Sequence, residues 1–354
     1  MPSSSMTPRE RWLAVMRRQK PDRTPTDYWG TPETGDRLVR HLGAASLREA
    51  LERLHVDTLI NVRPRYVGPH FARGTSVYGV RHRNIDYGTG KYAEACSHPL
   101  AGYASVEEIA ANYRWPDPDW WDYAVIPGQV RRHGDRAVRG GGSEPFLVYK
   151  ELRGDAQAMI DLIENPEMVE YCLGKLFDLA YTNTLRIYEA IPGRVDFSYV
   201  AEDMGGQSEL MIAPRHLRRF LFPGMKRMIE LAHSAGAYVF HHNDGNITRI
   251  LPELVELDID VLNPIQWRAG AAAASMDRVV LKQRYGERLV FHGAMDNQYT
   301  LPFGTVEEVR REVCENLGIL GKGGGYILAP CHNIQPLTPP ENIVAMYETA
   351  YQEG

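Results

Sequence analysis

The sequence predicts an α/β chain folded as a (β/α)8 TIM barrel. It is read as a single domain with an N-terminal helical extension and one inserted loop region. Three observations point there. Short apolar runs alternate with longer amphipathic stretches, the order expected of βαβ units in a parallel sheet. The chain's 354 residues suit one barrel, which takes about 250 residues plus insertions. Polar clusters also follow directly after the apolar runs, where barrel enzymes keep their chemistry.

Residues 1–5 read as a disordered start, and the barrel domain is expected over 6–354, with Met6 a second candidate initiator. Thr7-Pro-Arg-Glu is a helix opening, with Thr as cap, Pro in the first turn and Glu three residues on. Candidate strands follow at Pro25–Trp29, Thr58–Val62, Pro145–Tyr149, Asp196–Ala201, Ala237–His241, Val261–Pro264, Leu289–Phe291 and Gly325–Ala329. Candidate helices are Ser46–His55, Met168–Ala190, Pro214–Ala235, Ile247–Leu257, Met276–Tyr285, Thr305–Leu317 and Pro340–Tyr351.

An open doubly wound sheet would alternate in the same way. Against it, no GxGxxG follows the first strand and no GxxxxGK[ST] occurs anywhere. The run Gly140-Gly-Gly reads as a turn. The stretch Tyr87–Asp122, with its glycines, prolines and clustered aromatics, breaks the alternation. It reads either as an insertion over the barrel mouth or at a subunit contact, or as a proline-stiffened surface loop.

A net charge of −5 gives no electrostatic case for nucleic acid or an anionic membrane. No apolar run is long enough to span a bilayer, and no signal-peptide core opens the chain. The four cysteines are scattered without a CxxC pair, which points to a reducing cytoplasm.

The strand ends carry the candidate site. Asp27 and Trp29 end the first strand, and Glu202, Asp203 and Gln207 follow the fourth. His242 and Asp244 follow the fifth, Asn263 and Gln266 the sixth, His292 and Asp296 the seventh, and Cys331 and His332 the eighth. His242 and Asp244 lie two apart, so on an extended strand end both face one side. With His332 as third ligand, or Cys331 instead, they could hold zinc or another divalent ion. Asp244 reads equally as a helix cap, and Cys331 equally as a small buried hydrophobe. His241 should face away from His242. Glu202 and Asp203 are adjacent, so only one enters the pocket easily. The other is expected to bind backbone amides or an arginine.

Several stretches resemble the uroporphyrinogen decarboxylase superfamily. They are Arg9-Glu-Arg-Trp-Leu-Ala-Val-Met with Pro21-Asp-Arg-Thr-Pro, His98-Pro-Leu, Trp115-Pro-Asp-Pro-Asp, Glu202-Asp-Met-Gly-Gly-Gln, His242-Asn-Asp-Gly-Asn, Gly323 to Gln335, and Pro340-Glu-Asn-Ile. The resemblance implies a (β/α)8 barrel and a homodimer. One branch, the true decarboxylases, is cofactor-free and grips its porphyrinogen with an arginine pair after the first strand. Here that place reads Asp27-Tyr-Trp-Gly-Thr-Pro-Glu-Thr-Gly-Asp-Arg, without the pair. His332 matches that branch's histidine.

The other branch is the corrinoid-dependent methyltransferases, which carry zinc on a His-x-Cys pair and a later Cys. His242 matches the histidine, while Asp244 and His332 replace the thiolates. The expectation is a methyl transferase working with methylcobalamin on a corrinoid protein, or with folate, with metal on His242, Asp244 and His332. Asp203 or Glu202 would then relay the proton or orient substrate. A decarboxylase of a porphyrinogen-like or small carboxylic acid is the alternative, and a non-catalytic corrinoid- or tetrapyrrole-binding subunit a third.

Overall fold

A computed structural model describes residues 5–269 and 276–354. The expected disordered start lies outside them except for Ser5. Seven strands form one sheet in sequence order: β1 (Ile60–Asn61), β2 (Val138–Ser143), β3 (Phe197–Val200), β4 (Tyr238–His242), β5 (Val261–Asn263), β6 (Val290–Met295) and β7 (Tyr326–Pro330). Every neighbouring pair is parallel. The expected first strand occupies the eighth staves' place without a full ladder. Thr26 bridges Leu328 in parallel, Asp27 N–H donates to Leu328, and Asp57 N–H donates to Thr26 at 3.0 Å on the other side. Pro25 has no N–H, which keeps the pairing short. The sheet thus curls into the expected TIM barrel.

One predicted strand is wrong. Pro145–Tyr149 lies in a helix, Pro145–Arg153, with proline in its first turn. The real strand precedes it and contains the glycine run read as a turn. Gly142 sits at φ 125°, and a Cβ there would collide with the Tyr199 carbonyl of β3. The glycines permit close approach of two barrel strands, so here they mark a strand rather than a loop. The helix read as Pro214–Ala235 is present but widens to a π-turn at Leu217–Leu221, just before Pro223, which cannot donate a helical hydrogen bond.

The stretch Tyr87–Asp122 divides. Its start completes a hairpin, His82–Asp86 with Lys91–Ala95, whose tip at Gly90 lies against the Pro336 ring beyond β7. That contact places it at the mouth side. Its end is tied inward by buried Trp120 and by Trp115, edge-on to Tyr113 at 4.9 Å.

The opposite end of the barrel is stoppered by the helix Pro8–Met16. Its capping box on Thr7 and Glu10 forms as the sequence suggests. Trp12, Val15 and Met16 fill the interior with Phe197, Phe240, Val261, Val290 and Ile327. Trp12 donates its Nε1–H to Asp57 O at 2.8 Å.

Candidate active site at the strand ends

The C-terminal ends of the strands place a row of buried polar groups across the mouth. His242, ending β4, presents Nδ1 to Asn263 Oδ1 at 2.6 Å. Asn263, ending β5, presents Nδ2 to His292 Nδ1 on β6 at 2.7 Å. His292 Nε2 then meets Asp27 Oδ2 at 3.2 Å. Asp27 also accepts from Trp29 Nε1 and Tyr28 N, both at 2.9 Å.

This row fixes its own proton positions. Full burial lowers the pKa of His292, so its ring is neutral. Facing a carboxylate, Nε2 must carry the hydrogen, which leaves Nδ1 as acceptor. Asn263 therefore turns its amide N–H₂ to His292 and its oxygen to His242. His242 must then donate from Nδ1. Its Nε2 is left facing the mouth.

What faces that nitrogen is acidic. Asp203 Oδ1 lies 3.6 Å and Asp244 Oδ1 3.8 Å from His242 Nε2. Among the described residues, Asp203, His242 and Asp244 form the group whose ligand atoms lie within 4.8 Å of one another. Asp203 Oδ1 also accepts the Asp244 N–H at 3.1 Å, so the two loops support each other. Asp244 Oδ1 is shielded from solvent without a hydrogen-bond partner. Burial raises the Asp244 pKa, opposed by His242 and His332.

Three convergent acceptors with no donor between them repel one another unless a cation or proton sits among them. Ligands about 2.1 Å from one tetrahedral ion lie about 3.4 Å apart, close to the spacing observed. The donor set fits a divalent metal.

The close group differs in membership from the ligand set expected from the sequence. His332 stands at its edge, with Nε2 3.7 Å from Asp244 Oδ2 and its ring 6.5 Å from that of His242, outside the close group. Asp203, not His332, is the third member of the close group. Cys331 is no alternative ligand: it is buried, and its thiol donates to Ile265 O at 3.2 Å. Glu202, named as a catalytic candidate, is fully buried and accepts the Phe146 N–H at 2.9 Å, so it is the carboxylate that binds a backbone amide. His241 turns away as expected and bonds Val200 O at 2.7 Å.

Three proposed substrate contacts are engaged elsewhere. Gln207 is exposed and accepts from Gln298. Gln266 Oε1 accepts the Gly245 N–H at 2.5 Å and braces that loop. Asp296 pairs with Arg268 at 2.8 Å and accepts the Thr300 N–H. Asp27 and Trp29 line the main cavity, of about 750 Å³, with Tyr199, Arg139 and Asn333. Asn263 and His292 are fully buried in the hydrogen-bonded row between His242 and Asp27.

Two residues escape the sequence reading. Glu144 follows β2, and burial with the nearby Asp203 charge pushes its carboxyl up to about 7. Tyr199 of β3 stacks on His242 with ring centres 5.9 Å apart, and Trp29 flanks the same ring at 5.6 Å. Glu144 depended on placing β2 correctly, whereas Tyr199 lies on β3, inside the strand expected at Asp196–Ala201. The glycine run just before Glu144, reread as a strand, was the signal that could have found it.

A parallel barrel with a carboxylate–imidazole cluster at its strand ends defines an enzyme-like pocket. The family model described as uroporphyrinogen decarboxylase (URO-D) matches residues 133–352, and the chain belongs to that family. It is similar to uroporphyrinogen decarboxylase of Methylococcus capsulatus, 24% identical over 72% of this chain and 70% of that protein. The one from Psychromonas ingrahamii is 26% identical over 58% of this chain, and there the match spans about half, 51%, of the relative. The methylcobamide:CoM methyltransferase MtaA of Methanosarcina barkeri is 23% identical over 60% of this chain and 57% of its own length. A solved methyltransferase from Methanosarcina mazei superposes with a TM-score of 0.67 over 98% of this chain and 99% of its own, at 20% identity. That likeness shows the fold.

Proposed function

We propose that the chain is a metal-assisted methyl transferase working with a corrinoid or folate partner. The observation that carries this reading is the Nε2 of His242, oriented by a buried hydrogen-bonded row toward two carboxylates. Zinc held by Asp203, His242 and Asp244 would supply Lewis acidity that favours the deprotonated form of an acceptor such as a thiol. The protein's own groups do the rest. Asn263 and His292 keep the imidazole in one tautomer. Trp29 and Tyr199 wall the ring from water. His332, beside Asp244 and partly exposed, accepts the acceptor's proton and passes it to solvent. The whole barrel from residue 6 acts as one domain, in a cytoplasmic homodimer.

The test is metal content beside turnover of methylcobalamin with a thiol, followed by its absorbance. His242→Ala is expected to lose the ion and at least about a hundredfold of activity. Metal-free protein prepared without chelators, or coproporphyrinogen formed from reduced uroporphyrinogen at an enzymatic rate, would sink the reading. In that event Glu144 favours the second reading, a decarboxylase. A carboxyl poised near neutral pH can give its proton to the carbon that keeps the electron pair as CO₂ departs.

A further inference from the structure

The main cavity holds a cation that the metal reading does not use. Arg139, on β2, lies over three rings, with its guanidinium carbon 5.0 Å from the Tyr199 centroid, 5.5 Å from Phe240 and 5.6 Å from Trp29. Its Nε donates to Asn61 Oδ1 at 2.5 Å. Its Nη1 is shielded from solvent and has no hydrogen-bond partner. No carboxylate of the described residues pairs with it. Asp27, whose charge acts on it, is already engaged by His292, Trp29 and its own loop amide.

A guanidinium held against aromatic rings with an unused N–H edge is costly unless something accepts from it. Other arginines of this chain meet a carboxylate: Arg9 with Asp196, Arg11 with Asp22 and Asp57, Arg153 with Asp161. Arg139 instead lines open space. Arg63 lines the same cavity and brings a second positive charge, while its backbone rather than its side chain is tied, to Gln129.

We propose that Arg139 is a substrate-binding residue that anchors a carboxylate of the substrate, with Arg63 steering the anion in. The rings leave only an edge of the guanidinium available, and a flat two-oxygen acceptor is the group that matches a planar fork. Trp29 and Tyr199 touch both Arg139 and His242, so the anchored end lies one aromatic side chain away from the acidic cluster. A single guanidinium suits a small acid with one carboxylate to hold, not a molecule carrying eight. The anchor serves either chemistry considered above and does not require the metal.

Binding is measured directly by calorimetry with propionate, succinate and benzoate against their amides, in zinc-loaded and chelator-treated protein. At least one acid is expected to bind, with its amide at least about thirtyfold weaker. Arg139→Met should remove the difference between acid and amide. Arg139→Lys keeps the charge without the fork and should fall between, which guards against a misfolded Met variant. His242→Ala should lose the ion and keep acid binding. The inference is overturned if no acid binds, if Arg139→Met or Arg139→Lys binds the acid as the parent does, if phosphate or methanesulfonate binds in preference to every carboxylate, or if affinity falls in step with metal content. That last result would seat the carboxylate on the ion and leave the metal reading intact.

Discussion

Asn263 has no chemistry of its own, yet it decides what His242 can do. Its oxygen and its N–H₂ point opposite ways, and each tells one histidine where its hydrogen must be. Asn263→Leu should leave the barrel folded and lower metal affinity by about ten- to a hundredfold. Nitrogen-15 spectra of the imidazoles should show His242 mixing tautomers. A single Nδ1–H tautomer surviving in that variant would mean the row does not govern the ring.

Glu144 makes a pH-dependent prediction at the same scale. Its folded value of about 7 lies above its ordinary 4.5, so the folded state holds a proton that the unfolded chain has released. Stability therefore falls as pH rises from 4.5 to about 7 and then levels off. Glu144→Gln should be more stable than the parent at pH about 8, with the gap closing toward pH about 4.5. Equal denaturant midpoints at both pH values would remove the carboxyl from the pocket's electrostatics.

Among elements, the junction of two helices depends on one buried carboxylate. Asp161 in Asp155–Glu164 accepts from Arg153 and Tyr149 of Pro145–Arg153, and from Gln157 and Asn165. Burial pushes its pKa up, but these donors, Arg153 first, hold it down to about 2. The stabilisation is complete above the ordinary 3.8 and fades as pH falls through about 2. Asp161→Ala leaves Arg153 buried and unpaired, and should cost about 3–5 kcal/mol at neutral pH. A loss under about 1 kcal/mol in urea titration would be the range of a surface pair and would contradict it.

These same elements show what a sequence can disclose. The later strands stand out because β-branched and aromatic runs end in polar clusters, so β3 to β7 emerge within a residue or a few of their observed bounds. β2 stays hidden because its glycines serve a close approach between strands, a fact of packing rather than propensity. Likewise, His242 and Asp244 are legible from a spacing of two. Asp203 as their partner is not, because it comes from a neighbouring strand and its sequence distance carries no sign of contact.

At the scale of the molecule, the helix Pro8–Met16 and the strand-end site share one interior. Trp12 meets Phe197 at 5.2 Å and His292 at 5.8 Å, and His292 in turn meets Phe240 at 4.9 Å and Trp29 at 5.9 Å. Removing the stopper therefore disturbs more than the end it closes. Trp12→Ala should destabilise the fold by about 3–5 kcal/mol and also loosen His292. Retention of parental stability in that variant would show the helix to be an appendage.

The row from Asp27 to His242 has one more consequence, for the movement of protons. A chain of imidazoles, hydroxyls or waters can pass a proton along, each member taking one on one side and releasing one on the other. An amide cannot do so without becoming an imidic acid, and Asn263 stands between the two histidines. The row conducts orientation and insulates against charge. Whatever proton reaches His242 Nε2 must come from the open side of the mouth and leave by it, and the buried row behind it, however polar, stays out of the traffic.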